Sequence, residues 1–397
     1  MKKFIKNLIG LTASLVIAGA FSPVLADDAT PAATAAATPA ATAAATPAPP
    51  AVVVGGMVDT YYSYDFNSNN VGGVNGYFYN NVDNSFTLAL AEAKFTATQG
   101  AASAHLVLAY GQEASLGIGS ASVTGLGPVV VTPSFDVLQG YLAYTAGQFT
   151  FTGGKFVTWM GNEVIESTGN WNYSHSLLFG VIPFWHTGLS VNYAPSSTFN
   201  VTGYATDGNN TVAASPVGKT YGLEAVLAPS AQWSFTFNGL LGPTAGNLTV
   251  PNNLTNGVGE LIVKFMPDSM WSFGVDAQYG MTDFPSGSTP SSASYWGLAL
   301  YGRDQISSDW AAALRLEDLS DSGELGFGTT TVAGSLYEGT LTVEHDFTAN
   351  LLGRLEGRFD TNALPTGVGS ATAATAIYPN ATSTSQVTAT YSMVMTY

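Results

Sequence analysis

The four histidines, at positions 105, 175, 186 and 345, are the side chains best suited to binding a metal or moving a proton near neutral pH. They include no pair at metal-ligand spacing, and His345 stands beside a turn on an apolar parity, a boundary position. Ser174-His175-Ser176 sets hydroxyls beside an imidazole, as a hydrolase would need. Neighbours on an extended chain point to opposite sides, however, so the two groups cannot share the required hydrogen bond. There is no Cys, which removes thiolate nucleophiles, thiolate metal sites and disulfides together. The Gly-rich stretch 117–127 lacks a following Gly-Lys-Ser/Thr, so it implies no phosphate loop. No catalytic residue, metal or cofactor is expected. What remains is electrostatic: a short set of bases, Arg315, Arg354 and Arg358, with the acids Glu344, Glu163 and Glu166 and the polar Asn172 and His175. Such charges act through their field, and a low-dielectric wall concentrates it.

The elements that must position them are strands. From Val52 to Phe66 the even positions read Val, Val, Gly, Val, Thr, Tyr, Tyr, Phe, and the odd ones include Asp59, Ser63 and Asp65. That period of two means a strand with one apolar and one polar face. The same alternation covers 101–112, 232–242 and 270–281, and helix periodicity competes nowhere. At 84–98, Phe86, Leu88 and Leu90 share a parity with Glu92 and Lys94, so the faces cannot be assigned there without a bulge. Short turns at 98–101, 146–148, 194–198, 228–231, 267–269, 304–308 and 346–350 alternate with longer Gly/Asn/Ser-rich loops, which predicts about sixteen strands, within a range of 14 to 18. An even count with short turns on one side and long loops on the other is the anatomy of an up-and-down, antiparallel transmembrane barrel. The expected fold is therefore all-β over 51–397, with both ends of the barrel and the short turns on the periplasmic side. Parity puts Arg315 opposite Leu314 and Leu316, and Arg354 and Arg358 opposite Leu351, Leu355 and Phe359, which turns all three bases to the lumen. Glu344 falls near Arg354 across the turn. The competing reading pairs these bases locally with Glu344, Glu356 and Glu317.

Only 10% of the 397 residues are charged, against about 25% in soluble proteins. Something other than charge must therefore cover the exterior. With 27 acids and 11 bases the chain carries −16, a poor match for nucleic acid. Lys2, Lys3 and Lys6 before the apolar run Leu8 to Ala20, and Val24-Leu25-Ala26 after it, have the layout of a cleaved secretory leader over 1–26. Residues 27–50 contain TPAATAAA twice in succession and read as a Pro-punctuated periplasmic tether, an inert spacer or a contact with peptidoglycan. At the other end, Val387, Ala389, Tyr391, Met393, Met395 and Tyr397 form one apolar face closed by an aromatic. This resembles the C-terminal signal that the barrel assembly machinery recognises. Trp233, Trp271, Trp296 and Trp310 near strand ends fit the aromatic girdles at the lipid headgroups.

The third long loop, 161–180, is dense in large side chains, including Ile165, Trp171, Tyr173, Leu177, Leu178 and Phe179. A solvated loop would not need them, so the loop is expected to fold inward, anchored by Trp171, Leu177 and Phe179. Glu163, Glu166, Asn172 and His175 would then stand beside the path, with the acids facing Arg315, Arg354 and Arg358 across a gap. Around it, Gly153-Gly-Lys-Phe-Val-Thr-Trp-Met-Gly-Asn-Glu163, Glu166, Asn170, Asn172-Tyr-Ser-His-Ser176 and Ile182-Pro-Phe-Trp-His-Thr-Gly188 resemble the core of the OmpL-like β-barrel porins. About forty residues carry the likeness, and the long Ala/Thr/Pro tether departs from that family's plain pattern. The resemblance implies an outer-membrane pore and carries over no substrate; the expected function is passive diffusion of small polar solutes or ions through a barrel set in outer-membrane lipid, with a homotrimer as one assembly. The acidic balance adds a weak preference for cations. Two competing classes are a secreted adhesive β-protein and an outer-membrane hydrolase on a barrel scaffold.

Overall fold

In the computed structural model the described residues are 49–67, 77, 79–117, 134–212, 218–243, 255–283, 292–321, 334–363 and 385–397. The predicted leader and all but the last two residues of the predicted tether lie outside them. The alternating stretches become β1 (Ala51–Asp65), β2 (Ser85–Gln99), β3 (Ala102–Gly111), β4 (Ser134–Ala146), β5 (Phe149–Val157), β6 (Trp185–Ser196), β7 (Phe199–Thr206) and β8 (Thr220–Ser230). They continue as β9 (Trp233–Pro243), β10 (Thr255–Phe265), β11 (Trp271–Asp283), β12 (Ser292–Gln305), β13 (Trp310–Asp321), β14 (Gly334–Thr348), β15 (Leu351–Ala363) and β16 (Ser385–Thr396). Each strand pairs antiparallel with its sequence neighbours, and β1 pairs with β16. The sheet is a closed barrel with no free edge, the one way a β-structure satisfies its backbone in lipid.

All seven short turns lie where the sequence places them. β1 starts at the same end, because Ala51 pairs with Thr98 beside the β2–β3 turn. β16 ends there too, where Thr396 N donates to Asn350 O at 2.9 Å and Tyr397 exchanges both backbone bonds with Gly56 at 3.1 Å. Trp233, Trp271 and Trp310 open the strands that follow three of the short turns and stand exposed, while Trp296 is exposed toward the long-loop end.

The parities hold across the wall. Leu314, Leu316, Leu355 and Phe359 are exposed on the outside, whereas Arg315, Arg354 and Arg358 are buried on the inside. At 84–98 the ambiguous parity is resolved by a bulge: Asp59 pairs with Leu90 but Thr60 with Leu88, so Ala89 is the extra residue. Phe86 therefore faces out, 88% exposed, while Glu92 turns in, 2% exposed. A short helix, Gln112–Gly117, follows β3, and single 3-10 turns form at Ser167–Gly169 and Leu178–Val181. Helix periodicity competes nowhere in the sequence, and that six-residue piece is too brief to generate a readable period.

Candidate functional site

Residues 158–184 connect β5 to β6 and are held to the wall along much of their length. They are held by backbone groups bonded to charged side chains of the strands. Gly161 N donates to both oxygens of Glu260 at 2.9 and 3.0 Å, and Asn162 N donates to Asp276 at 3.3 Å. Tyr173 N and Ser174 N donate to Glu356 at 2.7 and 3.0 Å; Leu177 N and Leu178 N donate to Glu317 at 2.7 and 2.6 Å. The arginines supply the opposite polarity. Arg354 donates to the carbonyls of Ser167 and Asn170 at 2.6 and 2.8 Å, Arg315 to that of Ser174 at 2.6 Å, and Arg358 to that of His175 at 2.7 Å. Irregular backbone leaves N–H and C=O groups that must find partners when buried, and here carboxyl and guanidinium side chains provide them.

Side chains add the packing. Leu177, Leu178 and Phe179 are buried with Leu319 of β13, Ala299 of β12 and Leu90 of β2, and Trp171 packs edge-on to Tyr301 with ring centroids 6.4 Å apart. Two inward glycines make the notches: a methyl group on Gly297 of β12 would lie 2.0 Å from Leu178 Cδ2, and one on Gly222 of β8 would lie 2.0 Å from the Trp159 ring. Tyr79 packs against the same segment, edge-on to His175 and Phe179, and the short helix adds Ala114 to the same buried cluster, with Gln112 bonded to the Tyr61 hydroxyl and Asn81.

The predicted residues divide as follows. Glu163 and Arg315 do meet, at 2.8 Å, and both are buried; Arg315 also pairs with Glu338 at 2.9 Å. They are in contact, so the expected gap between loop acids and wall bases is corrected to a direct bond. Glu344 takes Arg354 at 2.7 Å, as read from the turn, and also Arg303 at 3.0 Å. Arg358 pairs with Asp360 at 2.7 Å rather than with Glu356, and Glu317 and Glu356 hold loop amides instead of arginines. Glu166 lies away from the arginines, 2.7 Å from Lys94 of β2. Asn172 and His175 were expected beside an open path and are instead 1% and 2% exposed, Asn172 donating to Thr342 at 2.8 Å. Tyr391, Met395 and Tyr397 stand exposed on the outer face with Met393 half-buried among them, and the Tyr397 hydroxyl donates to Glu92 O at 2.9 Å.

Within the segment, burial pushes the Glu163 carboxyl up, but Arg315 and the Ser176 N–H outweigh it and hold the group below its ordinary 4.5. Burial pushes His175 below its ordinary 6.5, with Arg315 and Arg358 working in the same direction against Glu163. Both settings stabilise a carboxylate and a neutral imidazole at neutral pH.

On its other side the segment borders a cavity of about 230 Å³ lined by Gln139, Trp159, Glu166, Phe184 and Glu224. The charged residues that line it are acids, with Lys94 bonded to Glu166 beside them. The sequence reading missed Glu224, Glu260, Asp276, Glu338 and Asp360; their inward parity was the available signal.

Residues 51–397 match the model of a family described as "Putative beta-barrel porin-2, OmpL-like". No curated protein gives a significant sequence match. Among solved structures, the outer membrane channel DcaP of Acinetobacter baumannii superposes with a TM-score of 0.60 at 11% identity, over 88% of this chain and 98% of that one. An anion-selective porin from Comamonas acidovorans gives 0.57 at 11%, over 88% and 100%. OmpT, an outer membrane protein of Vibrio cholerae, in its trimer form also gives 0.57 at 11%, over 88% and 100%. At these identities the likeness is one of fold.

Proposed function

The chain belongs to the OmpL-like β-barrel porin-2 family, and from that premise we propose that this outer-membrane porin is a passive channel narrowed by residues 158–184 and weakly selective for cations. One observation carries the reading: the wall arginines are consumed in holding the segment. Arg315, Arg354 and Arg358 are each 3% exposed or less, bonded to loop carbonyls and to acids. Bases so neutralised offer little to an anion. Glu166 and Glu224 line the cavity, with Lys94 as a half-exposed base beside Glu166. The net charge of −16 adds a cation-attracting field at the mouths that salt screens within about 10 Å at 0.1 M.

Passive passage rather than catalysis is supported by the one Ser–His neighbourhood in the segment. The His175 ring donates to Val164 O at 2.7 Å, while the Ser174 hydroxyl faces Arg315, so the two point to different partners. The solutes are small and polar, and a homotrimer is the assembly proposed. The inner end of the tether and the Tyr397 strand serve the periplasmic side, where assembly factors and peptidoglycan lie.

The reversal potential across a planar bilayer under a KCl gradient tests the selectivity. K⁺ should permeate better than Cl⁻ at 0.1 M salt, with the preference shrinking toward 1 M. A preference for Cl⁻ that does not change with salt would contradict the reading.

A further inference from the structure

Glu260 of β10 and Asp276 of β11 are 6% and 2% exposed, and their carboxyl groups lie within hydrogen-bonding reach of one another. Two carboxylates this close cannot both be ionised unless something positive lies between them. Among the described residues no arginine forms an ion pair with either group. Lys264, on the same strand face, lies within electrostatic reach of Asp276 without an ion pair to it among the described residues.

Around the pair stand oxygens that have no partner. Asn238 and Gln278 give their amide N–H groups to Glu260 at 2.7 and 2.8 Å, which leaves Asn238 Oδ1 and Gln278 Oε1 buried and unbonded. Asn162 Oδ1, at the start of the 158–184 segment, is in the same condition. Tyr295 is 3% exposed with its hydroxyl unbonded. Its ring lies across Gly280 of β11, where a methyl group would meet it at 2.0 Å, and its hydroxyl is within electrostatic reach of both carboxyls. Tyr301 is likewise buried and unbonded, within reach of Asp276. A proton shared by the carboxyls would satisfy none of these oxygens. A hard cation takes six to eight oxygen ligands from carboxylates and side-chain amides, at about 2.3–2.6 Å, and would use both the charge and the orphaned atoms.

We propose that Glu260, Asp276, Asn238, Gln278 and Asn162 form a Ca²⁺ site that ties the first turn of the 158–184 segment to the wall, with Tyr295 closing it. The site was not foreseen from the sequence, where the search for metal ligands began with histidine. Amide groups turn by half a revolution at little cost, which would bring Asn238 Oδ1 and Gln278 Oε1 onto the ion. Gly161 and Asn162 already donate to the two carboxylates, so an ion there sits at the root of the segment.

Calcium titration calorimetry on the refolded, lipopolysaccharide-free barrel in detergent tests this without reference to conduction, so its outcome is independent of the channel reading. One Ca²⁺ per chain should bind with a dissociation constant on the order of 10⁻⁴–10⁻³ M, at least roughly tenfold weaker in Asp276→Asn and Glu260→Gln. Asp309→Asn, at an exposed turn, should bind like the parent. Heat-modifiable migration on a gel establishes that each variant is folded. If the parent binds no Ca²⁺ in this range, or if folded Asp276→Asn and Glu260→Gln bind as the parent does, the pair holds only a proton and water, and the proposal fails.

Discussion

Arg315 is a buried side chain that ties two points of the segment to the wall at once. It bonds Glu163 and Ser174 of the segment and Glu338 of the wall, with none of its surface exposed. Removing one member of a buried ion pair leaves its partners charged and desolvated, at a cost of about 3–5 kcal/mol. Arg315→Met should therefore lower the unfolding free energy in urea by that order. The double variant with Glu163→Gln should lose less than the sum of the two single changes, since the pair is coupled; strictly additive losses would mean that Glu163 and Arg315 do not act together. Acid should loosen the same neighbourhood. Glu163 is depressed below 4.5, so its contribution is complete above that pH and is lost as pH falls through the lower, folded value. His175 is depressed below 6.5, so the fold favours its neutral form; that contribution is complete above 6.5 and declines as pH falls below it. Tyr79, Phe179 and Asn170 pack against the ring, and Arg315 and Arg358 oppose its protonation. Single-channel current noise should accordingly rise between pH 6.5 and pH 4, and His175→Asn should remove the upper part of that rise. The inward parity of the three arginines was legible from their leucine neighbours. Their partners were not, because Glu338 and Asp360 are set by register and diagonal reach across strands, which alternation along one strand does not encode.

At the level of elements, the sixteen strands and seven short turns could be read because each strand repeats one signal and each turn interrupts it. The bulge at Ala89 was visible only as a conflict of parity, and pairing with Asp59 and Thr60 explains it. The helix Gln112–Gly117 and residues 79–83 join the 158–184 segment in packing, yet neither has a periodic pattern, so the sequence offered only the unusual density of large residues in the third loop. Gly222 and Gly297 were a second, unread signal, since glycine on the inward face of a strand marks a close approach. The terminal strand belongs at this scale too. Tyr397 closes the β1–β16 seam with two backbone bonds and one from its hydroxyl, and its exposed aromatic ring continues the face formed by Tyr391 and Met395. Deleting Tyr397 should reduce the folded, heat-modifiable fraction in the outer membrane, whereas truncating 30–45 should leave it near the parent level. The reverse pattern would assign the assembly signal to the tether.

For the whole molecule, the closed wall explains the low charge content and the apolar exterior, and the interior explains where the charges went. Arg315, Arg354, Arg358, Glu260, Glu317 and Glu356, which a soluble protein would show to solvent, are turned inward and joined to a single long connection. On the proposed reading the field across the passage is then set by the acids lining the cavity, Glu224 and the Lys94-paired Glu166, rather than by a facing ladder of arginines. Conductance is the property in which these features combine. Single-channel recording of the barrel with residues 165–178 deleted, beside the parent in the same salt, should give a severalfold larger conductance and admit larger solutes, with strand content and heat-modifiable migration retained. An intact deleted barrel whose conductance equals that of the parent would contradict the account, because the segment would then not narrow the path.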